Sequence, residues 1–402
     1  MKIAIITSGR LPVPATKGGA VETKLDYILD FNAEHHLHDI TVYSVKPNRN
    51  IDKNTPENHY IHFTLDSFWA KIGRNIYKYL NKSPYYTNYM EYFLHKCIMH
   101  IKRRRFDCII IANRPGFVMK LHKAVKTPIV NQINNDYISP DSSQASVIKE
   151  ASSLIITCSD FLNRQACKVE CSKETPIVTV HNGIDIKRFA DAKPIDRSVL
   201  GMKKDDFVIF FSGRLTKEKG ILELIQAFKQ IKSIPNLKLI IAGASFYGKD
   251  SKTTPYVEEL QQEAESIKEQ VVFTGFVDYN DMPSYLKSAN VIIVPSLWEE
   301  PFGLTVLEAM AAGVPLIASR CGGIPEVCED TAILIERDHI VQHIINAIQQ
   351  VYDNPEESKQ MAQRAQTRSW SFDKDIFSSN YLKTVSQFFS DRQAHPTSPS
   401  SR

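Results

Sequence analysis

The sequence predicts an α/β protein made of two doubly wound domains, and three observations carry that prediction. The chain has 402 residues, more than one hydrophobic core readily serves. Short β-branched apolar runs alternate with helix-like stretches, as parallel strands do when helices cover both faces of a sheet. The alternation comes in two series. Between them lies the polar, irregular stretch "IDIKRFADAKPIDRSVLG", which places a linker near residues 184–200.

In order, "KIAIIT" reads as a strand and "GAVETKLDYILDFNAE" as an amphipathic helix. "DITVYSV", "FDCIIIAN", "TPIVNQI", "SSLIITCS" and "TPIVTVHNG" complete the first series of strands. The second series is "DFVIFFSG", "LKLIIAG", "QVVFTGF", "NVIIVPS", "VPLIAS" and "AILIE". The Pro/Ser-rich tail "HPTSPSSR" is expected to be disordered.

Composition narrows the class. An apolar fraction of 43% with 23% charged residues is ordinary for a soluble enzyme. The seven cysteines form no Cys-x-x-Cys pair, and Cys167/Cys171 and Cys321/Cys328 lack metal-site spacing. Reduced, buried thiols and a cytosolic compartment are expected. The opening "MKIAIITSGR" is too short in apolar residues for a signal peptide. No stretch approaches the ~18 apolar residues of a spanning helix. The net charge of +4 is uneven: residues 1–190 hold 26 Lys+Arg against 17 Asp+Glu. A basic half and an acidic half point to different partners for each.

In open α/β sheets ligands bind beyond the carboxyl ends of the strands, so the chemistry is sought there. After the first strand, Gly18 and Gly19 precede a helix, where exposed N–H groups suit phosphate. After "DFVIFFSG", Arg214 and Lys219 share one loop entering a helix. A guanidinium and an ammonium can grip a diphosphate together, though alone they read as two solvated cations. No Gly-Lys-Ser/Thr follows, so this is not a Walker A loop. After "NVIIVPS", "EEPFGLTVLEAM" places Glu300 before a helix that starts near Leu304 and Glu308 within it. Gly313 and Pro315 end that helix. Its start carries the positive end of the macrodipole, and the two carboxylates can accept hydrogen bonds from sugar hydroxyls. Glu299 reads as an ordinary surface acid.

The stretch "EEPFGLTVLEAMAAGVPLIAS" resembles the E-x7-E signature of retaining GT-B glycosyltransferases, glycosyltransferase family 4, of the bacterial surface-polysaccharide type. "TKGGAVE", "HNGID", "SGRLTKEKG", "VVFTGFVDYNDMPSYLKSANVIIVPS" and "WSFDKDIFSSNYL" resemble the family's other motifs in the family's order, over about residues 1–390. The resemblance implies the GT-B fold: two Rossmann-like domains facing a central cleft. The N-terminal, acceptor-binding domain would span 1–185 plus a returning helix about 373–390. The nucleotide-sugar-binding domain would span 186–372, with a tail at 391–402.

Carried over, the resemblance implies that Arg214 and Lys219 hold the diphosphate of a nucleotide sugar. Glu300 and the backbone N–H groups of Phe302, Gly303 and Leu304 would hold the donor sugar. Thr305 would touch a phosphate, Glu308 the ribose, and the backbone at Phe276 and Val277 the base. Gly18 and Gly19 would close on the sugar-phosphate. No cofactor or metal is implied, because the cations and the helix start stabilise the leaving diphosphate themselves. The one Asp-x-Asp string, Asp373-Lys374-Asp375, opens the terminal helix and is read as chance. One position departs from the family: "VNQINNDYI" places Asn134 where a histidine is common. Asn134 can donate and accept hydrogen bonds but cannot titrate near neutral pH.

Residues 59–95 are dense in aromatics, among them Phe68, Trp69, Tyr79, Tyr85 and Tyr92, interleaved with Lys71, Arg74, Lys78 and Lys82. Lys102-Arg103-Arg104-Arg105 follows. Such a surface suits an anionic bilayer, and a lipid-linked glycan acceptor agrees with it. Nucleic acid is disfavoured, since no nucleic-acid module is present. The expectation is a cytoplasmic, metal-independent retaining hexosyltransferase, peripheral at the inner face of the cell membrane, building a capsule or exopolysaccharide, with a UDP-sugar as the favoured donor. A non-catalytic GT-B scaffold subunit and a nucleotide-sugar epimerase of the same fold are the alternatives.

Overall fold

The structure is a computed structural model that describes residues 1–16, 18–48, 52–80, 86–244 and 254–394. It divides into one unit of Met1–Gly183 with Lys374–Arg402 and a second of Ile184–Asp373.

The first unit runs β1 (Lys2–Ile6), α1 (Ala20–His35), β2 (Asp39–Val45), β3 (Asn58–Phe63), α2 (Phe68–Leu80), α3 (Asn88–Ile101) and β4 (Cys108–Ala112). It continues with α4 (Phe117–Ala124), β5 (Ile129–Ile133), α5 (Ala145–Ala151), β6 (Leu154–Thr157), α6 (Asp160–Cys167) and β7 (Ile177–Thr179). The second unit opens with α7 (Ile186–Ala190), β8 (Phe207–Ser212), α8 (Ile221–Gln230), β9 (Leu237–Ala242), α9 (Pro255–Ala264) and β10 (Val271–Gly275). Then follow α10 (Met282–Leu286), β11 (Val291–Val294), α11 (Leu304–Ala312), β12 (Leu316–Ser319), α12 (Ile324–Cys328) and β13 (Ile333–Ile335). Helices α13 (Ile340–Asp353) and α14 (Pro355–Ser369) complete that unit, and α15 (Lys374–Ala394) belongs to the first.

Among the described residues the first unit's sheet is seven-stranded, in the order β3-β2-β1-β4-β5-β6-β7, and all pairs are parallel. Strand side chains alternate between faces. Ile3 and Ile5 of β1 therefore join Leu25, Ile28 and the α15 residues Tyr381 and Leu382 on one face. Ala4 and Ile6 join Phe93 and Phe117 on the other. The second sheet is six-stranded, β10-β9-β8-β11-β12-β13, also parallel, with Ile209, Phe211, Leu239 and Ile293 in its core. Each order reverses once, between β1 and β4 and between β8 and β11. These reversals are the switch points at which open α/β sheets leave a crevice.

The apolar runs of the sequence are the strands. The exception is β3, whose "NHYIHF" mixes polar and apolar residues because it is a half-exposed edge strand. Five cysteines are buried as expected, but Cys167, at the end of α6, is exposed and Cys171 half-buried in the loop beyond. Helix α15 runs to Ala394. Residues 395–402 of the expected tail, like Lys82 and Tyr85, lie outside the described residues.

Candidate functional site

In the second unit the site residues gather because β8 and β11 are neighbours in the sheet at its switch point. The loop after β8 carries Arg214 and Lys219, and the loop after β11 carries Ser296 to Glu300. The two loops touch through backbone: the Leu297 N–H donates to the Glu218 carbonyl at 2.9 Å. A Cβ on Gly220 (φ 67°) would lie 1.9 Å from the Pro295 carbonyl oxygen, so only glycine permits the approach. The Lys219 ammonium thereby reaches Glu300 Oε1 at 2.5 Å, and the Ser296 hydroxyl donates to the same oxygen at 2.6 Å. Lys219 also lies 5.4 Å from the centre of the Trp298 ring, while Trp298 Nε1 is buried with no acceptor among the described residues. Arg214 is half-exposed and stands 3.7 Å from Glu218.

Glu300 is held from behind by the loop before α12. The Gly323 N–H donates to the Glu300 carbonyl at 2.7 Å, and Gly322 packs so closely that an added Cβ would sit 2.0 Å from that oxygen. Glu299 is more than the ordinary surface acid the sequence suggested. It accepts from the Gly322 N–H at 2.6 Å and pairs with Arg337 at 2.5 Å, bracing the turn. Beyond the turn, α11 starts at Leu304 and ends at Gly313 in the left-handed conformation, as its sequence signals predict. No side chain among the described residues caps its first turn. The N–H groups around Gly303, Leu304 and Thr305 therefore have no intrahelical acceptor and face outward with the positive end of the dipole.

Glu308, on the second turn of α11, is buried, not solvated like an ordinary helix acid. Desolvation pushes its carboxyl up to about 8, with the Arg188 guanidinium opposing the shift. It is a neutral acid at pH 7, able to donate as well as accept. Arg188, on α7, stacks 4.5 Å from the centre of the Tyr279 ring and donates to Tyr279 O and Asn280 Oδ1. Those acceptors lie just beyond Phe276 and Val277, which leave β10 with Phe276 exposed.

In the first unit the carboxyl ends of β1, β4, β5, β6 and β7 bring together Ser8, Asn113, Asn134, Cys158 and Asn182. Gly18 and Gly19 lead into α1, whose first turn again lacks a side-chain cap among the described residues. Two charged residues near the start of that helix point inward. Glu22 accepts from the Ser8 hydroxyl at 2.9 Å, and burial raises its carboxyl above the usual range. Lys24 is buried and donates to Asn134 Oδ1 at 2.5 Å and to Asn182 Oδ1. Desolvation lowers its ammonium to about 8, opposed by Cys158 and Glu22. Asn134 follows β5, and its backbone N–H donates to Asn113 Oδ1 at 3.0 Å.

The structure thus gathers Lys219, Glu300 and the start of α11 in one unit, with Arg214 in the same loop as Lys219. It sets Gly18, Gly19 and Asn134 beyond the carboxyl ends of strands in the other sheet. Sequence reasoning missed Ser296, Trp298, Arg188, Glu22, Lys24 and Asn182. Of these, Glu22 and Lys24 were discoverable. They fall three residues before Leu25 and four before Ile28, on the apolar face of an amphipathic helix where charge is out of place.

Residues 192–368 match the family model described as glycosyl transferases group 1. The chain is 29% identical to spore coat protein SA of Bacillus subtilis over 344 residues, covering 82% of this chain and 84% of that one. Among solved structures it resembles sucrose-phosphate synthase from Thermosynechococcus elongatus, with a TM-score of 0.76 and 21% identity over 97% of this chain and 100% of that one. It also resembles Anabaena HepE solved with UDP and glucose, with a TM-score of 0.72 and 21% identity over 96% of this chain and 99% of that one.

Proposed function

We propose that the chain, whose residues 192–368 match the glycosyl transferases group 1 model and whose fold is GT-B, is a glycosyltransferase that moves a hexose-type sugar from a UDP-sugar to a lipid-linked glycan of the cell surface, with retention and without a metal ion. The observation that supports this reading is the meeting of Lys219, Glu300 and the uncapped start of α11 at the switch point of the second sheet. Breaking a sugar–phosphate bond leaves positive charge on the sugar and negative charge on the diphosphate. Arg214, Lys219 and the α11 N–H groups stabilise the leaving group, and Thr305, touching one of its phosphates, completes that cradle. Glu300, held by Ser296 and Lys219, accepts hydrogen bonds from the hydroxyls of the donor sugar, and the N–H groups of Phe302 to Leu304 donate to its oxygens. Glu308, neutral at pH 7, takes ribose hydroxyls as both donor and acceptor. The backbone at Phe276 and Val277 meets the base. An oxygen of the departing diphosphate accepts the acceptor's proton while the acceptor attacks from the same face. In the first unit Gly18, Gly19 and Asn134 contact the sugar-phosphate. HepE, solved with UDP and glucose, favours uridine as the base.

The acceptor reading draws on α2. Phe68, Trp69, Ile72, Ile76 and Tyr79 are exposed there, Trp69 and Tyr79 at 78% and 82%. At 3.6 residues per turn they share an arc of about 100°. Gly73 lies on another side of the helix, against Tyr92 of α3; Lys71 and Lys78 run along one edge of the stripe, while Arg74 turns away from it toward Asp66 and the Tyr89 ring. An aromatic stripe bordered by cations fits the interface of an anionic bilayer. Among the described residues no helix is long and apolar enough to cross a membrane.

The test is transfer of labelled glucose from UDP-glucose to a lipid-diphosphate-linked sugar in the presence of a chelator. An α-linked product with undiminished rate is expected. A β-linked product would overturn retention, and loss of rate with chelator would overturn metal independence.

A further inference from the structure

We propose that a cavity at the amino ends of the first unit's strands binds a phosphate ester, on the opposite edge of that sheet from Ser8, Asn113 and Asn134. The cavity measures about 310 Å³. One wall comes from three neighbouring strands. Lys2 of β1 is in register with Asp39 of β2, and Thr41 of β2 with His59 of β3. Side chains alternate along a strand, so these four share the face on which Ala4 and Tyr43 meet Phe93 of α3. The other wall is Arg104, Arg105 and Phe106, in the turn between α3 and β4. Backbone bonds fix that turn: the Arg104 N–H donates to the Ile101 carbonyl at 3.0 Å, and the Asp107 N–H to the Lys2 carbonyl at 2.8 Å. Phe106 stands edge-on to Tyr43, ring centres 6.4 Å apart, while Arg104 and Arg105 stay exposed.

Charge and an unmade hydrogen bond both point to an anion. Three permanent cations line the cavity against one carboxylate. That carboxylate, Asp39, lies 3.5 Å from His59 Nε2, and Lys2, Arg104 and Arg105 pair with no acid among the described residues. Asp107, beside the turn, accepts from the Lys2 backbone N–H at 2.7 Å. The positive field reaches inward: burial first, then Arg104 and Arg103, lower the pKa of His100, whose ring meets the Tyr43 hydroxyl at 3.0 Å. Thr41 is only 3% exposed, yet its hydroxyl makes no hydrogen bond among the described residues. A valine would fill that place with no hydroxyl to satisfy. A hydroxyl left unmade in a cavity ringed by cations is completed by a ligand oxygen. Guanidinium forks and an ammonium suit phosphate, and Phe106 offers an apolar wall to the carbon that carries it. At about 310 Å³ the cavity stands at the small end of ligand pockets, roughly 300–1,000 Å³, which suits a small esterified phosphate. That ester is either a soluble molecule or the headgroup of an anionic phospholipid; the recognition chemistry is the same.

The experiment measures Kd by calorimetry at low salt for glycerol 3-phosphate, inorganic phosphate and glycerol. It compares wild type, Thr41→Val, the pair Arg104→Ala with Arg105→Ala, and the pair Lys71→Ala with Lys78→Ala. Wild type is expected to bind glycerol 3-phosphate with a millimolar Kd or tighter, more tightly than inorganic phosphate, and not to bind glycerol. Thr41→Val keeps the shape and should weaken the ester about five- to tenfold, the effect of one hydrogen bond. The arginine pair should weaken it at least about tenfold, as loss of charge-assisted bonds does. The lysine pair removes the same charge from α2 and should change Kd by less than about twofold. Absence of binding in wild type, an unchanged Kd in Thr41→Val, or equal losses in the two double variants overturns the proposal. Vesicles of phosphatidylglycerol then identify the source. Sedimentation lost in the arginine pair and competed by glycerol 3-phosphate supports the cavity as a headgroup site. Sedimentation kept by that pair while it loses glycerol 3-phosphate supports the cavity as a site for a soluble ester.

Discussion

At the residue scale, Lys219 and Glu300 are mutually dependent. Each is largely buried and each neutralises the other, so removal of one strands a charge as well as a ligand contact. Lys219→Ala and Glu300→Gln are each expected to lower kcat at least about 100-fold, the scale on which a charge-stabilising group acts. Steady-state rates on folded variants check this, and near-normal turnover would remove the pair from the site. Glu308 makes a second prediction through its raised carboxyl. A pKa raised in the folded state stabilises the protein below the unfolded value and loses that contribution as pH climbs toward about 8. Wild type should therefore lose melting temperature between about pH 4.5 and 8. Glu308→Gln, which mimics the neutral acid, should flatten that part of the profile and melt higher at pH 8. Melting curves across that range decide it.

At the element scale, the loops after β8 and β11 matter more than either helix they lead to. Gly220→Ala would drive a methyl into the Pro295 carbonyl. It is expected to lower the melting temperature by about 3 °C or more and to reduce kcat by shifting Lys219. A variant with unchanged rate would mean that this close approach does not position the lysine. The same loops show what a sequence can reveal. The strand runs, the start of α11 at Leu304 and its stop at Gly313 were legible because hydrophobic period and capping residues are local signals. The placement of Arg214, Lys219 and Glu300 at strand ends was legible because their loops follow apolar runs, and that of Glu308 within α11 because the motif spacing sets it there. Ser296 and Trp298 were not, since their roles arise only when β8 and β11 become neighbours across about 80 residues of chain. Strand β3 escaped because its residues, "NHYIHF", carry no continuous apolar run. The burial of Glu308 escaped because α11 is apolar around most of its circumference, so no polar face announces which acid turns inward.

At the scale of the whole molecule, the uneven charge and the exposed stripe of α2 belong to the same half of the chain. Vesicles containing anionic lipid should sediment the protein at low salt, and neutral vesicles should not. Trp69→Ala with Tyr79→Ala should weaken the association without altering the melting temperature, as both side chains lie in solvent. Binding that is indifferent to lipid charge would contradict the role given to α2. The central claim is narrower: the second unit holds a nucleotide-diphosphate sugar through the loop after β8 and the start of α11. The most direct test is a thermal-shift measurement, without added metal, of wild type and Arg214→Ala against UDP, GDP, ADP and their sugar conjugates. A rise in melting temperature with one nucleotide class, lost in Arg214→Ala, is the predicted result. No shift with any of them, or a shift that Arg214→Ala leaves intact, would contradict it.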